Sequence, residues 1–174
     1  IYMLWSRKHK LRRLLLGSTT RDVVRLTDVP VFVHKQHPNL KRDGEIEHVV
    51  FATDFEVAAD RAIPYLPLFA GENRTLTLLH VGNRAPDPFA EARREENAQQ
   101  QLGERKKDSA RFFESVKTRD LVGPATRVIL NVTREERADI LIMGRLNESP
   151  LMKIMGSTAE KLADKTECSL FVVP

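Results

Sequence analysis

Cysteine is nearly absent from the chain. Cys168 is the only one in 174 residues, which excludes an intrachain disulfide and a cysteine-based metal site. Aromatic residues make up 6% of the sequence, and no apolar run approaches the roughly 20 residues of a membrane-spanning helix. The five histidines, His9, His34, His37, His48 and His80, have no metal-ligand spacing. No Gly-Lys-Ser/Thr phosphate loop of the Walker type occurs, and no nucleophile is paired with a base as acyl transfer would require. What is present, 41% apolar and 30% charged residues, is ordinary for a soluble globular chain able to bury a sizeable core. Ile1 to Trp5 are too few for a secretory leader, so a cytoplasmic location without membrane association is expected.

The net charge of +4 is unevenly spread. Residues 1–44 hold ten Lys/Arg against three Asp/Glu, and the remainder is net acidic. The densest basic run is Arg7-Lys8-His9-Lys10-Leu11-Arg12-Arg13. Such a run suits phosphates or an anionic surface, but short basic runs more often form a solvated loop leading into a helix. With no interleaved aromatics and no recognisable motif, no nucleic-acid partner is expected.

The chain repeats itself. Leu14-Leu-Leu-Gly17-Ser18-Thr19 and Lys153-Ile-Met-Gly156-Ser157-Thr158 stand 139 residues apart, and the same offset pairs Thr27 with Thr166, Phe32 with Phe171 and Val33 with Val172. In both copies Gly-Ser-Thr opens a helix, because Ser and Thr accept from the free amides of a helix start. Val29-Pro-Val-Phe-Val33 and Ser169-Leu-Phe-Val-Val173 then have strand composition.

The second copy belongs to a longer unit. His48 to Asp54 reads as a strand ending in Asp54, and a helix from about Val57 to Ala70 is shortened or kinked by Pro64 and Pro67. Thr75 to Val81 reads as a second strand. The polar stretch 87–117 has Gly103 in its middle and is expected to be a flexible loop followed by a helix. Thr126 to Leu130 is expected as a third strand and Asp139 to Met143 as a fourth. That places only residues 131–139 between two parallel neighbours, where a crossover helix belongs. A crossover helix is therefore expected to be missing near 131–137. Residues 1–35 form the C-terminal part of a first unit, 36–45 a linker and 46–174 the second unit.

Phe51-Ala-Thr-Asp54-Phe55, Leu78-Leu-His-Val81, Ala138-Asp-Ile-Leu-Ile-Met-Gly144, Gly156-Ser-Thr-Ala-Glu-Lys161 and the closing strand together resemble the universal stress protein family, in its tandem-domain form. The resemblance implies a flavodoxin-like, doubly wound parallel sheet of the adenine nucleotide alpha hydrolase-like kind, repeated in tandem with an incomplete first domain. It implies ATP or a related adenine nucleotide, with magnesium, as a regulatory ligand in stress response, and at most weak ATPase activity. It also implies self-association, through the last strand of each repeat. In the family's binding pattern, a Gly, two residues, Gly, nine residues, Gly and then Ser or Thr cradle the ribose and phosphates. Carried onto this chain, Asp54 and Val81 hold adenine, Gly144 is the first glycine, and Gly156, Ser157 and Thr158 form the phosphate end. The middle glycine is replaced: Asn147 stands there, the interval from Gly144 to Gly156 is one residue short, and Pro150 stiffens the loop. In the first unit Leu4 and Arg7 stand at the first two glycine positions.

From the residues alone each of these has a plain alternative. Asp54 can cap the helix that follows it, Gly144 can be a turn glycine, and Gly156-Ser157-Thr158 can simply cap the last helix. His80 reads as a packed or hydrogen-bonded strand residue and Cys168 as a small hydrophobe. Two other functions stay open: a scaffold or dimerisation module without nucleotide, and a regulatory domain of a transporter.

Overall fold

The computed structural model describes residues 1–5, 18–35, 46–145 and 157–174. The basic run 7–13, the linker 36–45, Gly17, Asn147, Pro150 and Gly156 lie outside them. Among the described residues, seven strands make one sheet in the order β1-β2-β7-β6-β3-β4-β5. They are β1 Tyr2–Trp5, β2 Val31–Lys35, β3 His48–Thr53, β4 Gly71–Gly82, β5 Phe113–Val122, β6 Ile140–Gly144 and β7 Ser169–Val173. The five strands β7-β6-β3-β4-β5 are parallel throughout. A parallel sheet of this kind needs helices on both faces, and its central strands are therefore apolar on both sides.

On one face lie α1 (Ser18–Leu26), α4 (Ala125–Glu135) and α5 (Ser157–Lys165). Their Val24, Ile129, Val132 and Leu162 share a buried cluster with Val50, Leu79, Leu141 and Leu170 of the sheet. On the other face lie α2 (Val57–Asp60), a 3-10 helix (Ile63–Phe69) and α3 (Pro88–Ser109). There Ala59, Leu66, Phe69 and Leu102 cover Val49, Phe51, Leu76, Leu78 and Ile142. Leu76, Leu78, Leu79, Leu141 and Ile142 are wholly buried, and each such side chain contributes about 1.5–3 kcal/mol by leaving water. Pro64 and Pro67 do shorten the first helix: its regular part ends at Asp60 and the chain continues as the 3-10 segment.

Three expectations are corrected. Residues 87–117 do not form a loop followed by a helix. Helix α3 runs unbroken for 22 residues, started by Asp87, whose side chain accepts from Phe89 N and Ala90 N. Gly103 is tolerated because its missing side chain would have met nothing within 4 Å, so the cost is its propensity alone, about 1 kcal/mol. The third strand is Phe113–Val122, not Thr126–Leu130. Thr126-Arg-Val-Ile-Leu130 is rich in β-branched residues, yet it buries Ile129, Leu130, Val132 and Thr133 along one side of α4, a helical rather than alternating pattern. That helix is itself the crossover between β5 and β6, so no helix is missing near 131–137.

The two copies of the repeated segment are built alike. β1-α1-β2 and β6-α5-β7 are each a parallel strand pair with a helix between them. β2 and β7 then pair antiparallel, with Phe32 opposite Phe171, Val31 opposite Val172 and Val33 opposite Leu170. The pairing is centred on the two equivalent phenylalanines. Phe32 and Phe171 also pack with Phe69, at ring separations of 6.0 and 5.0 Å. The closing strands thus pair with each other inside the chain, and neither is left as a free sheet edge.

Candidate functional site

Strand order reverses direction of growth between β3 and β6, and the crevice beyond the carboxyl ends of such strands is where open α/β sheets accept ligands. A cleft of about 240 Å³ opens there. Asp54, Val81, Gly144 and Thr158 all line it, together with Thr53, Ala125, Ile129 and Met143. The structure therefore brings four of the six sequence-derived site residues to one place. Ser157 is the first residue of α5, next to Thr158, and Gly156 lies outside the described residues. Among the described lining residues, Asp54 alone carries a charge.

Asp54 does two things at once. Its Oδ1 accepts from Glu56 N at 3.0 Å, capping the turn out of β3, while the residue also faces the cleft. Thr53 Oγ1 accepts from Phe55 N at 3.0 Å in the same turn. Phe55 sits at φ 65°, a left-handed conformation that a non-glycine residue adopts only when its surroundings hold it. They do: its ring stacks on His80 at 4.3 Å, and the Arg105 guanidinium lies 4.9 Å from the ring centre. His80 is in turn fixed by Asp120, with Nδ1 2.7 Å from Oδ1, and Arg94 donates to the same carboxylate at 2.9 Å. Arg94 and Arg105 both come from α3, so that long helix braces the Asp54 turn from below. His80 is a hydrogen-bonded packing residue, as its place in a strand suggested.

Gly144 has a structural cause that its sequence context does not reveal. A Cβ there would lie 2.2 Å from Ala58 O and 2.5 Å from Ala59 N. The glycine lets the backbone of α2 rest directly on the end of β6, which narrows the cleft between them. Cys168 is buried and its thiol is pushed up to about 11 by that burial, consistent with an inert core side chain.

Two buried cations were missed by sequence reasoning. Arg145 follows Gly144, and its Nη1 donates to Val24 O and Arg25 O, its Nη2 to Thr27 O, each at 2.6 Å. These are the carbonyls at the C-terminal end of α1. Lys35, at the end of β2, donates from Nζ to Ala163 O and Thr166 O at 2.7 Å, the C-terminal carbonyls of α5. Both placements suit the negative end of a helix dipole. Burial pushes the Lys35 ammonium down to about 8, with Cys168, Asp164 and Glu167 opposing the shift. The 139-residue offset could have signalled the pair: Val24 and Thr27 correspond to Ala163 and Thr166, so the two cations cap corresponding carbonyls of α1 and α5.

Among the described residues no helix is long and apolar enough to cross a membrane. The family model of the universal stress proteins matches residues 45–174. No curated protein matches the chain. Among solved structures, hypothetical protein MJ0577 is 26% identical with a TM-score of 0.63, over 74% of this chain and 95% of that one. A putative universal stress protein from Pseudomonas aeruginosa UCBPP-PA14 is 18% identical with a TM-score of 0.75. It is matched by 99% of this chain, which spans only 62% of its length. A universal stress protein solved in complex with cAMP is 21% identical with a TM-score of 0.53, over 74% of this chain and 97% of that one.

Proposed function

The chain belongs to the universal stress protein family, and from that premise we propose that its second unit binds ATP or a related adenine nucleotide as a regulatory ligand, with little or no catalysis. The observation that carries this reading is the convergence of Asp54, Val81, Gly144 and Thr158 on one cleft at the switch point of the sheet. Asp54 and the backbone at Val81 suit the amino edge and ring nitrogens of adenine, and the apolar walls at Ala52, Leu79 and Met143 suit its faces. The start of α5, with Ser157 and Thr158, suits phosphate oxygens, since the amides of a helix N-terminus point at such a ligand. A structurally similar family member in complex with cAMP adds a cyclic adenine nucleotide to the ligands this fold accepts. ATP would bring the phosphate charge and magnesium would offset part of it, while the residues of this chain would bind and orient rather than transfer a proton. We also read residues 1–35 as the C-terminal part of a first such unit, supported by the offset repeat and the centred β2–β7 pairing. The stress role and the cytoplasmic location follow the family in this reading.

One observation favours the rival reading of a scaffold without nucleotide: no cation is found among the described residues lining the cleft. Titration of ATP, AMP and cAMP into the full chain decides between them. Saturable binding is expected, with Gly156→Val lowering affinity at least tenfold while cooperative unfolding persists. Unchanged affinity in that variant would remove the site from this cleft. No heat or spectral change at millimolar nucleotide would favour the scaffold.

A further inference from the structure

The chain departs from the cleft at Arg145, just after β6, and re-enters it at α5, and both places are held by α1 and β2. At the departing end, Arg145 reaches away from the cleft and forks across three carbonyls of α1. Its backbone N also donates to Val173 O at 2.7 Å, which locks the same residue to the closing strand. At the re-entry end, α5 carries Thr158 at its cleft-facing start and is gripped at its far end by Lys35. Arg21 of α1 adds an ion pair to Asp164 of α5 at 3.2 Å. The side chain of Arg145 is 1% exposed, and its Nε is buried without a hydrogen-bond partner. An arrangement with one donor unsatisfied and three hydrogen bonds made to the end of α1 holds only while that helix stays docked.

We propose that α1 and β2, residues 18–35, are a clamp on the cleft, with Arg145 as its positioning residue, so that their docking and the placement of the cleft walls at Gly144 and Thr158 are one linked equilibrium. Ligand binding in the cleft and protection of α1 then raise each other by the same factor, a consequence that rests on the nucleotide reading above, whereas the link itself does not.

Hydrogen exchange on the full chain tests both parts. Without ligand, Arg145→Met should speed exchange of the last-turn amides of α1 about tenfold, and the amides of the cleft-lining Met143, Gly144 and Leu162 by a similar factor. Amides of β4 such as Leu78 should keep their wild-type rates, since a general loss of stability would move them too. Arg145→Lys, which keeps the charge without the fork, should give an intermediate effect. Should Arg145→Met fail to fold, Lys35→Met serves, loosening the end of α5 and the cleft together. Faster exchange in α1 with the cleft amides unchanged overturns the clamp. With millimolar ATP, the wild type should slow in α1 as well as at the cleft, and Arg145→Met should slow at the cleft alone. Protection at the cleft with α1 unaffected in the wild type also overturns the clamp. If ATP slows neither region, the nucleotide reading fails, and the ligand-free arm still decides the link.

Discussion

Leu4 of β1 and Gly144 of β6 occupy the same place in the same kind of strand. Leu4 pairs with His34 and Gly144 with Val173, and the 139-residue offset makes those two partners equivalent. Their surroundings differ completely. Gly144 has the backbone of α2 within 2.2 Å of where a side chain would begin, whereas Leu4 is 57% exposed. One strand position is therefore a close-approach glycine where a helix crosses it and a leucine where none of the described residues does. A residue that looks like part of a binding motif is in this case demanded first by packing. The capping cations teach the same lesson in reverse. Lys35 ends β2 and Arg145 follows β6, and they share no motif, yet they satisfy corresponding carbonyls at the ends of α5 and α1.

The largest expected effect breaks the first half of that comparison. Gly144→Ala should destabilise the chain by at least about 3 kcal/mol, because the clash is with backbone that cannot rotate away. A fall in the urea midpoint of the full chain measures it, and a loss under about 1 kcal/mol would mean that α2 moves aside freely. Next comes the pH dependence of the Lys35 cap. Its ammonium titrates near 8 in the folded chain against an ordinary 10.5. Between those values the unfolded chain holds the proton and the folded chain does not, so unfolding free energy should rise with pH across the window. Relative to Lys35→Met, which lacks that rise, the difference should grow by on the order of 2–3 kcal/mol. A difference that stays flat from pH 8 to 10.5 would show that the helix carbonyls hold the charge as well as water does. Arg145→Met should cost about 2 kcal/mol at neutral pH by leaving the α1 carbonyls without their donor, read from the same denaturation curves. The smallest effect sharpens the contrast: Leu4→Gly should cost less than about 1 kcal/mol, and a larger loss would mean that Leu4 is covered in solution.

Much of the site could be read from residue order. Asp54 follows an apolar strand, Val81 ends the next one, and Gly144 ends another, so all three had to lie along the carboxyl edge of a parallel sheet. The strand composition of His48–Thr53 and Ile140–Gly144 is unambiguous because both faces are buried. Thr126–Leu130 was not legible, since β-branched residues favour strands locally and only the burial of Ile129, Leu130 and Val132 against α5 and the sheet makes them helical. Helix α3 failed for a related reason: with Ala98, Leu102 and Ser109 as its buried residues, its apolar stripe is too thin to show in the sequence. The brace of Phe55, His80 and Arg105 joins three separate elements and leaves no local trace.

By itself, then, the amino-acid order determined the alternation of strands and helices and the edge on which Asp54, Val81 and Gly144 must stand, because these depend on spacing along the chain. Which of two apolar segments became β5 and which α4, why position 144 is glycine, and how Arg145 and Lys35 lock α1 and α5 were decided only in three dimensions. Those outcomes depend on backbone approach and on carbonyls supplied from more than a hundred residues away, and no local pattern encodes a partner at that distance.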